Sequence, residues 1–185
     1  PVILILNRGA HYANDTTLAS EIRKLAPVLL EWQDACDRAS IKCHLFWRTS
    51  VPGHPHCANF SAPVNDMFVM ESHIENPMNY NETTWAFHWQ DFKRQNELIL
   101  QELENLERLR FDVIDAYHLN TLRPDGHRPQ QNDCLHNCYP GKMDVYNQLL
   151  LHFLKMQRSS KDSERFAAAL KRRKENAHDN QTNAS

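Results

Sequence analysis

"VILIL", Val2 to Leu6, is a run of β-branched and leucine residues that stops at the polar "NRGAHYAND". A short apolar run without alternation reads as a strand buried on both faces, with a loop at its carboxyl end. From Thr16 to Ala39 the apolar residues change period. Leu18, Ile22, Leu25, Leu29 and Trp32 recur at three and four residues, which predicts a helix, with Pro27 as a point where it can kink. "KCHLFWRTS" (Lys42 to Ser50) is a second strand and "FDVIDAYHL" (Phe111 to Leu119) a third. Between them lie a long loop, 51–84, and a helix predicted from Trp85 to Leu109. A last helix is predicted from Met143 to Met156. Strand and helix alternate three times, which is the pattern of an α/β protein with a parallel sheet.

Outward from that frame, the bulk composition fits one soluble domain. Of 185 residues, 41% are hydrophobic and 24% charged, and the net charge of -2 argues against a dedicated nucleic-acid binder. Residues 1–156 are read as the domain and 157–185 as a polar tail, with a short helix around "SERFAAALKRRKEN" and a disordered end. No run of about 18 apolar residues is present, so any membrane attachment is expected upstream. A strand that begins at Pro1 without a preceding turn reads as the start of a fragment. Five cysteines and five Asn-x-Ser/Thr sequons, at Asn14, Asn59, Asn81, Asn180 and Asn183, favour a secretory route.

In open α/β sheets, sites lie beyond the carboxyl ends of the strands. The loops beginning at Asn7, Ser50 and Asn120 should therefore share one rim. The histidines of "PGHPHC" and the cluster "DCLHNC" (Asp133 to Cys138) would gather there. Asp133 and His136 are three residues apart, within about 7 Å in a tight turn. The carboxylate can then accept the Nδ1 proton and leave Nε2 as a base. The same residues admit two other readings. His54, His56 and Cys57 with Cys134, His136 and Cys138 are zinc-type ligands, though their spacing matches no common zinc pattern. Alternatively the cysteines are cross-links that pin the loop.

The segment from Phe111 to Leu150, closing in "DCLHNCYPGKMDVYNQLL", resembles the C-terminal block of the trichome-birefringence-like and PC-esterase family. "FWRTSVPGHPHC" resembles that family's middle block, and "ILNRGAHY" its "NxGxHW" strand end. The resemblance implies an SGNH-hydrolase-like (flavodoxin-like) three-layer sandwich, incomplete at its N-terminus. It implies a Ser-His-Asp acyl-transfer site with His136 as base, Asp133 as its orienting acid and Asn7 as oxyanion donor. The family's Gly-Asp-Ser nucleophile would lie upstream, so the fragment alone should be inactive. The resemblance also pairs Cys57 with Cys134 and leaves Cys138 to a partner further upstream, while Cys36 and Cys43 default to buried thiols. Asn137 and Tyr146 stand where the family has tryptophans.

Arg48, His54, Arg123 and Trp47 are carried as sugar-contacting candidates. Arg123 reads first as organising its loop and second as a substrate contact, and Trp47 reads first as core. The implied partners are a polysaccharide acceptor and an acetyl donor, with no cofactor and no metal, in the Golgi lumen or outside the cell. Polysaccharide O-acetyltransferase is the leading reading. A carbohydrate acetylesterase, a non-catalytic SGNH-like glycan binder and a zinc-stabilised binding module stand as alternatives.

Overall fold

The computed structural model describes residues 1–10, 12–128, 133–138, 141 and 143–156; the tail helix expected beyond 156 lies outside them. They fall into two compact units, Pro1–Met143 and a second from Asp144, in which helix runs to residue 156. No helix among the described residues is long and apolar enough to cross a membrane.

The first unit is built on a three-stranded parallel sheet in the order β1 (Val2–Leu6), β2 (Cys43–Arg48), β3 (Asp112–Ile114). Leu4 pairs with Leu45 and Leu6 with Trp47, and Trp47 in turn pairs with Val113. Parallel neighbours require crossovers, which α1 (Asp15–Arg38) and α4 (Phe92–Glu104) supply. Both helices bury one stripe. Leu18, Ile22 and Leu29 of α1 meet Ile99 and Leu103 of α4 over Leu45 and Trp47 of β2. Asn14 caps α1 by accepting from Thr17 N, and the helix passes through Pro27 unbroken.

Several sequence expectations change here. The strand read as buried on both faces is, among the described residues, an edge strand. Leu4 and Leu6 pack inward, whereas Ile3 and Ile5 are 40% and 44% exposed. The helix read from Trp85 starts later, because His88 takes a left-handed conformation (φ 57°) and a 3-10 turn, Trp89–Asp91, precedes α4. The third strand stops at Ile114, since Asp115 caps a new helix, α5 (Ala116–Thr121), through His118 N. The long loop contains α2 (Met67–Glu75) and the short α3 (Glu82–Trp85), each with an Asp or Asn cap. A second sheet, β4 (His127–Arg128) against β5 (Asp133–Asn137), is antiparallel.

Cys36 and Cys43 are joined in a disulfide, not free thiols as expected. The link ties the last turn of α1 to the first residue of β2.

Candidate active site

The rim begins where β1 and β2 end. Asn7 Nδ2 donates to Arg48 O (2.8 Å) and to Ser50 Oγ (3.2 Å), so both amide hydrogens are engaged. Ser50 Oγ donates to Arg8 O (3.2 Å). From beneath, Asn96 of α4 accepts from Ser50 N (2.8 Å) and donates to Ser50 O (3.0 Å). A buried asparagine thus satisfies both backbone groups of a residue that has left the sheet, which fixes the turn. Gly9 sits at φ 131°, and a Cβ there would lie 3.1 Å from Ser50 Oγ, so this crossing of two loops requires glycine.

The second half of the rim is β5. Asp133 Oδ1 accepts from Leu135 N (3.2 Å) and His136 N (2.9 Å), which turns the chain back toward its own carboxylate. His136 Nδ1 then donates to Oδ2 at 2.9 Å, with Oδ1 at 3.1 Å. A carboxylate on Nδ1 places the lone pair on Nε2, the arrangement of a general base. Partial burial raises the Asp133 carboxyl, but the N–H groups of His136 and Leu135 and the imidazole outweigh it, so it stays below its ordinary value. The His136 side chain is 77% exposed.

Asp-x-x-His geometry does not by itself mark a site. Asp115 meets His118 Nδ1 at 2.5 Å with the same spacing, and His88 meets Asp91 at 3.0 Å. Of the three histidines, only His136 lines the cleft that also holds Asn7. A cleft of about 380 Å³ is lined by Asn7, Arg48, Ser50, Leu135, His136 and Asn137, among others. Its volume is in the range of small-molecule sites. A second cleft, about 200 Å³, lies beyond Cys134 and is lined by His56, Asn79, Tyr80, Asn81 and Trp89.

Beneath the rim, the middle segment is stitched to β5. Cys57 is bonded to Cys134, the pairing the resemblance implied. That bond removes both thiols from the zinc reading. His54 N donates to Cys134 O at 2.8 Å. The His54 ring itself is fully buried and Trp47 is 1% exposed, so neither lines a sugar cleft; Trp47 belongs to the core under the sheet. Arg123 is held by Asp125 through Nε (2.9 Å) and organises its turn; it does not line either cleft. Arg48 does reach the first cleft. Cys138 is an exposed free thiol.

Sequence reasoning passed over Ser50 and Asn96. Ser50 stands in no nucleophile motif, yet it is the hub of the rim. Asn96 stands in the apolar register of α4, and a polar residue at such a position is the signal that could have found it.

The family model described as PC-Esterase, the "GDSL/SGNH-like Acyl-Esterase family found in Pmr5 and Cas1p", matches residues 4–153. Over 65 residues the chain is 35% identical to xyloglucan O-acetyltransferase 1 of Populus trichocarpa, covering 27% of this chain and 15% of that protein. It is 34% identical over 62 residues to xyloglucan O-acetyltransferase 1 of Arabidopsis thaliana, covering 25% and 15%. A longer match reaches protein trichome birefringence-like 20 of Arabidopsis thaliana, 24% identical over 170 residues, covering 82% of this chain and 31% of that protein. The chain therefore spans under a third of the length of these relatives. No solved structure matches it significantly.

Proposed function

The chain belongs to the PC-esterase family of GDSL/SGNH-like acyl-esterases, and from that premise we propose that it carries the acid–base half of an acyl-transfer site acting on carbohydrate. The observation that carries this reading is the Asp133–His136 pair, exposed on a cleft whose opposite wall holds Asn7. The nucleophile is a serine outside residues 1–185. Ser50, although in the cleft, spends its hydroxyl hydrogen on Arg8 O and accepts from Asn7. Its place is structural.

In the proposed reaction, His136 Nε2 takes the proton of that serine as its oxygen attacks the acetyl carbonyl of a donor. The carbonyl electron pair moves to oxygen, and Asn7 exchanges its longer bond, the one to Ser50, for the oxyanion. The donor's leaving group departs with the proton from His136, leaving an acetyl-serine. A sugar hydroxyl then loses its proton to His136 and attacks the ester, and the serine recovers the proton. Asp133 holds the imidazolium formed in each half. The names of the relatives support a polysaccharide acceptor, and the second cleft, with its aromatic and amide lining, is where the acceptor chain would continue.

Hydrolysis is the second reading. The open imidazole favours it, because water reaches Nε2 freely in residues 1–185. Two disulfides and the exposed asparagines of the sequons at Asn14, Asn59 and Asn81 support a secretory location for either activity.

The test is His136→Ala in the longer protein that contains the serine. With an aryl acetate donor and a neutral oligosaccharide acceptor, both acetylated product and released acetate should disappear while the far-ultraviolet spectrum is unchanged. Retained turnover removes the assignment. The ratio of the two products in the unmodified protein separates transferase from esterase.

A further inference from the structure

Below β5 two imidazoles meet out of solvent's reach. His54 is 0% and His127 3% exposed. His54 Nδ1 lies 2.7 Å from His127 Nε2. The ring centroids are 4.9 Å apart and the planes tilted by 54°, so the rings touch through their nitrogens and are not stacked. At the outer ends, His54 Nε2 lies 2.9 Å from Thr121 O, and His127 Nδ1 lies 3.0 Å from His136 O.

A carbonyl oxygen only accepts, so each outer nitrogen must carry a hydrogen. Those two hydrogens are all that two neutral imidazoles possess. The inner nitrogens would then confront each other as bare lone pairs at a distance proper to a hydrogen bond. A third hydrogen between them satisfies all four nitrogens at once. We propose that His54 and His127 share one extra proton, and that this buried imidazole–imidazolium pair positions His136 by holding its carbonyl oxygen.

Burying a cation is costly. Here two carbonyl dipoles face its ends, the charge is spread over two rings, and a charge-assisted bond is stronger than a neutral one. Among the described residues, the surrounding elements bring these titratable and charged groups. The segment before β4 brings Arg123 and Asp125, paired with each other, and α5 is capped by Asp115, which holds His118. β5 brings Asp133 and His136, the loop after β2 brings His56, and the Cys138 thiol donates to His127 O at 3.3 Å.

The consequence rests on reading His136 as the base. His127 touches no reacting atom; it is a positioning residue that fixes the peptide from which the base projects. When the third proton leaves, the inner bond is lost, and either the rings part or one carbonyl loses its donor. Catalysis then needs His136 neutral, which favours higher pH, and the buried pair protonated, which favours lower pH.

The deciding measurement is a long-range ring ¹H–¹⁵N correlation series on the [¹⁵N]histidine-labelled chain from about pH 6 to about pH 10. The outer nitrogens, His54 Nε2 and His127 Nδ1, should stay protonated throughout. The inner two should change together in one step as the pH rises. Two neutral rings with unprotonated inner nitrogens at pH 6 would overturn the proposal. In His54→Leu, His127 should become a single neutral tautomer with no step; should that variant fail to fold, the unmodified chain's spectra decide alone. In the longer protein, His54→Leu should lower turnover roughly tenfold, one hydrogen bond's worth, and abolish the alkaline limb of the rate profile. A persisting alkaline limb counts against the clamp. The two readings fail separately: neutral rings remove the clamp and leave the base standing, whereas an active His136→Ala variant removes the base and leaves the shared proton standing.

Discussion

At the scale of single residues, Asp133 does two jobs that one substitution can separate. Its Oδ1 shapes the turn through two backbone N–H groups, and the carboxylate as a whole sets the tautomer of His136. Asparagine keeps an oxygen for the turn but offers no anion to the ring. Asp133→Asn should therefore leave thermal unfolding nearly unchanged and cut turnover by about 10³–10⁴-fold, as loss of an orienting carboxylate does elsewhere; equal loss of stability and activity would make the residue merely structural. The pH dependence follows from the direction of its shift. The carboxyl is held below its ordinary value, so its stabilising contribution is full above about pH 4 and vanishes as the pH falls through the folded value. Ser50→Ala should reduce turnover without abolishing it, because Asn7 loses one anchor and keeps Arg48 O. Complete loss would instead make Ser50 the nucleophile. Much of this was legible: a carboxylate and an imidazole three residues apart in a polar turn announce a hydrogen bond. What the sequence could not tell is exposure. His54 looks like a cleft residue by type, and only packing shows that it is a strut, whereas the core reading of Trp47 holds.

At the scale of elements, the site depends on holding β5 against the segment after β2. The Cys57–Cys134 link spans 77 residues, and the Cys36–Cys43 link spans seven. On the chain-entropy account the first contributes about 4 kcal/mol and the second about 2–3. With Cys138→Ser in the background to prevent exchange, replacing Cys57 and Cys134 by alanine should lower Tm further than replacing Cys36 and Cys43, and only the first pair should impair turnover. Gly53 supports the same junction from the α4 side. A Cβ there would lie 2.3–2.7 Å from the Trp89 ring. Gly53→Ala should therefore cost about 1–3 kcal/mol by overpacking, seen as a drop in the denaturation midpoint; an unchanged midpoint would mean the indole moves freely. The periodicities located α1 and β2 well, and the centre of α4 but not its ends, since each buries a continuous apolar stripe. They failed where a polar residue interrupts an apolar run. Asp115 ends β3 in the middle of "FDVIDAYHL", and His88 interrupts a helical pattern that continues on both sides. At Asp115 a local side-chain hydrogen bond outweighed hydrophobic spacing, and at His88 the left-handed backbone broke the helical register without a side-chain cap.

At the scale of the molecule, the sheet is open on one side among the described residues. β1 pairs there with β2 alone, and its outward face shows Ile3 and Ile5 to solvent. The run "VILIL" was read as doubly buried because nothing in it alternates, and that reading describes a strand with neighbours on both sides. An edge of this kind is a template for another strand. The cleft lies at the carboxyl end of β1, so a strand added there would deliver its own carboxyl-terminal loop to the rim that holds Asn7 and faces His136. Under the proposed function, that loop carries the serine. Residues 1–185 by themselves should then show no acyl transfer, whereas the longer protein should. Hydrogen exchange supplies an independent reading. The outward amides of β1 should exchange quickly in residues 1–185 and slow markedly in the longer protein, while those bonded to β2 stay protected in both. Activity in residues 1–185 would place the nucleophile within them and return Ser50 to candidacy. Equal exchange in both forms would leave β1 an edge in the complete fold, and the serine would have to reach His136 from some other direction.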